Sequence, residues 1–92
     1  MKHAAETEQL FQKVLDDTTQ EIKLQVDCSY DIADRIDACL HSLGVSQKEF
    51  ARRLGTSEAA VSKWVGGGHN FTLSTLAKIS AALGEPIITI AK

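Results

Sequence analysis

The sequence predicts an all-α protein of five or six helices, with an N-terminal helical extension and a short β-like tail at the C-terminus. Three observations predict it. Apolar residues recur at spacings of three and four from Phe11 to Leu83, the signature of a helix with one buried face. Residues with capping and stopping chemistry punctuate the second half of the chain at short intervals. β-branched residues crowd together only behind Pro86, in Ile87-Ile88-Thr89-Ile90, where a strand-like tail is expected.

In the first half the apolar series runs Phe11, Leu15, Ile22, Val26, Tyr30, Ala33, Ile36, Leu40 and Leu43, with a gap at Thr18. It fits one long helix or two. Asp27-Cys28-Ser29-Tyr30-Asp31 is poor helix material, and Ser29 or Asp31 has the side chain of an N-cap, so a break or kink is expected there. The chain then divides into an acidic helical extension (1–28), a folded domain (29–85) and a tail (86–92). Gly44 is expected to end the segment in a left-handed conformation.

The second half reads more sharply. Ser46-Gln47-Lys48-Glu49 has the form of a capping box, in which the Ser side chain accepts from the third amide and the Glu reaches back. The helix it opens points Phe50, Ala51 and Leu54 inward, and Gly55 makes the turn. Ser57 caps a second short helix with Val61, Trp64 and Val65 toward the core, ended by Gly66-Gly67-Gly68. Thr72 caps a last helix carrying Leu73, Leu76, Ile79 and Leu83 on one stripe, and Gly84 and Pro86 stop it.

Composition narrows the function classes. No apolar run approaches the length of a membrane span, and the N-terminus lacks the apolar stretch and cleavage site of a signal peptide, so a cytoplasmic protein is expected. Cys28 and Cys39 fit a reducing compartment as small buried or half-buried hydrophobes. On one continuous helix they stand roughly 16 Å apart, beyond disulfide reach. The net charge of −2 is unevenly spread. Residues 1–43 hold four Lys/Arg against nine acids, whereas residues 44–92 hold six (Lys48, Arg52, Arg53, Lys63, Lys78, Lys92) against Glu49, Glu58 and Glu85. An acidic half joined to a basic half is compatible with nucleic-acid binding.

Two short helices joined by a tight Gly-containing turn cannot stand alone and must pack at a steep angle. Ala51 lets them approach and Val61 fills the space opposite. That geometry lets one helix cross the DNA backbone while the next enters the major groove, which is wide enough to admit it.

The run Gly44-Val45-Ser46-Gln47-Lys48-Glu49-Phe50-Ala51-Arg52-Arg53-Leu54-Gly55-Thr56-Ser57-Glu58-Ala59-Ala60-Val61-Ser62-Lys63-Trp64, followed by Asn70-Phe71-Thr72-Leu73 and by Leu76 through Gly84, resembles the repressor/Cro-like (XRE-type) helix-turn-helix family. The resemblance covers residues 31–84. It implies a repressor-like domain that binds double-stranded DNA and acts as a transcriptional regulator. It also implies base contacts from Ser57, Glu58, Ala59 and Lys63, and phosphate contacts from Gln47, Ser62, His69, Asn70 and Thr72. By groove chemistry Lys63 suits guanine O6/N7, Glu58 would accept from cytosine N4, and Ala59 would touch a thymine methyl. Each has a plainer reading beside it. Ser57 is a cap, Glu58 favours a helix N-terminus electrostatically and departs from the amide side chains of many relatives, and Lys63 is a solvated cation. Trp64 reads as core. Arg52 and Arg53 read as one salt bridge and one solvated or phosphate-facing charge.

Catalysis is not expected. His3, His41 and His69 are scattered, Gly66-Gly67-Gly68 is not followed by the Lys-Ser/Thr of a phosphate loop, and no metal set or cofactor motif appears. The acidic arm, the Asn70-Phe71-Thr72-Leu73 phrase and the tail also resemble antitoxins of type II toxin–antitoxin pairs, which implies a toxin protein as a second partner and repression of the antitoxin's own promoter. A single motif reads too few base pairs to stand out against genomic DNA, so a homodimer on a pseudo-palindromic operator is expected, with recognition helices about 34 Å apart. The tail is the expected dimer contact, and the arm the alternative.

Overall fold

The computed structural model describes the backbone of residues 2–91 and the side chains of residues 9–91. Four helices follow in order: α1 (Lys2–Leu43), α2 (Gln47–Leu54), α3 (Glu58–Gly66) and α4 (Leu73–Leu83). There are fewer helices than the expected five or six because α1 is unbroken. No Gly or Pro interrupts residues 2–43, and the weak helix formers at Asp27–Asp31 each cost only tenths of a kcal/mol, which their neighbours offset. Ser29 caps nothing. It is buried, and its hydroxyl donates to the Val26 carbonyl at 2.7 Å, within the helix.

Gly44 takes φ +67°, and Val45 N–H closes back on the Leu40 carbonyl, which ends α1. Ser46, Ser57 and Thr72 cap α2, α3 and α4, each accepting from the amide three residues on. Gly55 and Gly84 close α2 and α4 in the left-handed region. Only half of the expected capping box forms: the Glu49 carboxylate turns to Arg52 and Arg53 instead of reaching back.

The core gathers one face of every helix. Ile36 and Leu40 from α1, Phe50 and Ala51 from α2, Val61 and Trp64 from α3, and Leu76, Ile79 and Leu83 from α4 are buried together. Leu73 departs from its expected stripe and is exposed, since the first turn of α4 projects past the core. The β-like tail does not form: among the described residues there is no strand. Ile87 is spent on the core, and its N–H donates to Ser80 Oγ at 3.1 Å, so a strand edge has no continuous backbone to offer. Ile88 and Ile90 remain exposed.

Cys39 is buried, and its thiol donates to Glu85 Oε2 at 3.4 Å, which Arg35 also meets at 3.2 Å. This small cluster ties α1 to the turn after α4. Cys28, by contrast, is exposed rather than half-buried, because it borders the open hollow with His69, Asn70 and Phe71 where the domain leaves α1. The arm accounts for a radius of gyration of 18.6 Å, against roughly 12 Å for a compact chain of this length.

Candidate nucleic-acid interface

The interface is built from what α3 does not bury. Val61 and Trp64 turn inward, which obliges the residues between and before them to face out. Ser57, Glu58, Ala59, Ser62 and Lys63 are all exposed, and α3 offers them as one polar surface beside an apolar one. Among the described residues neither Glu58 nor Lys63 takes part in an ion pair.

Capping constrains two of the site residues. Ser57 Oγ accepts from Ala60 N–H at 3.1 Å, so its hydroxyl hydrogen is left to donate outward. Thr72 Oγ1 accepts from Thr75 N–H at 3.1 Å and also lies 2.9 Å from Thr75 Oγ1. Gln47, the first residue of α2, is half-buried, which fixes its stem beside the exposed helix N-terminus. Such an N-terminus offers unpaired N–H groups to an anion.

Lys63 and His69 line one open hollow with Gly66, Gly67 and Gly68 between them. The His69 imidazole and the glycine backbone around this concavity of about 250 Å³ suit a phosphate group. His69 is held by an edge-on contact with Phe71, ring centres 4.7 Å apart. Asn70 is exposed beside it.

Arg52 and Arg53 are engaged on α2. Arg52 Nε donates to Glu49 Oε2 at 2.9 Å and Arg53 Nε to Glu49 Oε1 at 3.1 Å. Arg52 Nη2 also donates to Oε1, and these three bonds, those of Arg52 foremost, hold the Glu49 carboxyl well below the usual carboxylate range, at a pKa of about 2. The guanidiniums keep free edges for phosphate, but their geometry is set by Glu49. Where one salt bridge and one solvated or phosphate-facing charge were expected, both arginines bridge to Glu49 and both stay exposed.

Sequence reading missed Tyr30 as a site residue. Its ring lies against Gly67, so close that a β-carbon built on Gly67 would fall 2.3 Å from the ring. Gly67 also takes φ +86°. The glycine thus serves α1 as well as the turn, and Tyr30 braces the loop that follows α3. Spacing alone put Tyr30 on the apolar series; nothing local pairs it with a residue 37 positions away.

Among the described residues no cluster of three His, Cys, Asp or Glu side chains could hold a metal ion, and no helix is long and apolar enough to cross a membrane. The side chain of His3 lies outside the described residues. Neither the curated proteins nor the solved structures provide a match to the chain. A family model described as helix-turn-helix does match, over residues 37–90, which takes in the end of α1, all of α2, α3 and α4, and the tail through Ile90. That range holds the capped α2, the glycine turn and the α3 that buries Val61 and Trp64, and the chain belongs to the XRE-type helix-turn-helix family of DNA-binding regulators.

Proposed function

We propose that this protein is a transcriptional repressor that seats α3 in the major groove of a pseudo-palindromic operator bound by two copies. The observation that carries the reading is the division of α3, whose buried Val61 and Trp64 leave Ser57, Glu58, Ala59 and Lys63 together on the exposed side. In this reading those four residues contact bases. Gln47, Ser62, His69, Asn70 and Thr72 hold phosphates on either side and set the register. Repression follows from occupancy, since a bound dimer covers promoter DNA without needing any further activity. An antitoxin would use the same face on its own promoter, so the operator experiment serves both readings. What separates them is the occupant of the arm.

The test is selection from a random duplex pool. Enrichment of a sequence with two-fold symmetry is the expected result. Recovery of no consensus, with binding that depends on salt but not on sequence, would reject a specific regulator.

A further inference from the structure

The free arm of α1 is an amphipathic helix whose apolar stripe continues the face that the domain buries. Below the junction, Ser29, Ala33, Ile36 and Leu40 follow at spacings of four, three and four and are all buried. Above it, Phe11, Leu15, Ile22 and Val26 lie on the same line, with Val14 alongside and Leu10 at its edge, and all are exposed. Thr18 occupies the middle of the stripe. Its hydroxyl donates to the Val14 carbonyl at 2.8 Å, so it can face an apolar surface with no unmet polar group.

We infer that this stripe pairs with the arm of a second copy, running antiparallel. Three observations select that occupant, and the inference rests on α1 alone, whether or not the operator reading holds. The first is charge. Among residues 9–28 Glu21 alone borders the stripe, while Lys13, Asp16, Asp17, Lys23 and Asp27 fall on the far side of the helix. So sparse a charged border gives a partner chosen by charge little to read, and two copies bring only the Glu21 pair near one another, about 9 Å apart along the axis.

The second is area. Six side chains at roughly 100 Å² each give about 600 Å² per copy, hence about 1,200 Å² in total, the lower bound of a stable specific interface. The exposed apolar residues around the tail, Leu73, Ile88 and Ile90, supply about half of that.

The third is direction. The domain sits on the same face of α1 from Ser29 onward, and paired helices lie only about 8–10 Å apart. Parallel arms would drive both domains into one space. Antiparallel arms place one domain at each end. The partner's N-terminal end then comes to a hollow of about 120 Å³ at the junction, lined by Ile32, Phe71 and Leu76. With the two-fold axis near Thr18, the two Tyr30 levels stand about 36 Å apart, on the scale of one DNA turn.

The test uses the full chain without DNA. Light scattering at micromolar concentration should give twice the mass of one chain. Leu15→Asp with Ile22→Asp should halve it while leaving the cooperative melt of the domain intact, followed through Trp64. In a Cys28→Ser background, Thr18→Cys should join two copies with a short thiol cross-linker, and Gln25→Cys should not. A monomeric parent chain would overturn the inference, as would monomers produced by Ile88→Asp with Ile90→Asp instead. Linking through Gln25→Cys as readily as through Thr18→Cys would show parallel arms and overturn it too. So would an arm that becomes protected only when a separate basic protein is co-expressed, the outcome expected of an antitoxin.

Discussion

Single side chains in this protein serve two neighbours at once, and their substitutions separate the roles. Gly67 combines a positive-φ, extended backbone (φ +86°, ψ 159°) that is essentially reserved to glycine with the Tyr30 ring in the space a β-carbon would take. Gly67→Ala sets a methyl into the Tyr30 ring and a conformation that costs about 1–3 kcal/mol by itself. The expected outcome is a lower melting temperature and weaker DNA binding, with Tyr30→Ala restoring part of the stability but not the backbone penalty. Additive losses in the double variant would show that ring and glycine do not interact. Glu49 offers a pH handle. Its folded value of about 2 lies below its ordinary 4.5, so its contribution is complete above pH 4.5 and disappears as pH falls toward 2. Carboxyl titration followed by NMR should place Glu49 near 2, and Arg52→Ala should move it upward more than Arg53→Ala does.

Among the elements, α3 has the clearest conflict of duties. Ser57 begins it as a cap and, in the proposed function, also contacts DNA. Ser57→Ala should cost about 1 kcal/mol of stability in a thermal melt without DNA. Ser57→Asp should keep the cap and the melt, yet weaken DNA binding by setting a negative charge against the phosphates. Equal DNA affinity for the Asp variant and the parent would remove Ser57 from the interface. The three capped helices were legible because caps and left-handed glycines are local: Ser46, Ser57, Thr72, Gly55 and Gly84 carry their instruction within four residues. The continuity of α1 was not, because the Asp27–Asp31 signal is genuine but weak and is outweighed by an uninterrupted helical run. The tail failed for the opposite reason. Its β-branched residues favour a strand, but Ile87 gains more from the core of α1 to α4, a partnership invisible in its neighbours.

At the scale of the whole molecule, a small domain carries a long rod. The domain depends on few side chains, so Phe50→Ala, which empties a fully buried site, should cost about 3–5 kcal/mol and leave the domain largely unfolded by denaturant titration. The exposed face of α3, the candidate reading surface, was legible at the same level as the fold. Once Val61 and Trp64 are assigned inward, helical periodicity alone sends Glu58 and Lys63 outward. The support behind that surface was not legible, since Tyr30 against Gly67 and Arg53 joining Arg52 on Glu49 depend on how the helices meet. The central claim is that α3 reads bases through Lys63 while Gln47 holds the backbone. The most direct measurement compares Lys63→Ala and Gln47→Ala on the selected operator and on operators changed one base pair at a time. Lys63→Ala should lose about 1–3 kcal/mol and its preference at one position in each half-site, and Gln47→Ala should weaken every duplex about equally. A Lys63→Ala variant that keeps the full base preference of the parent would contradict the account.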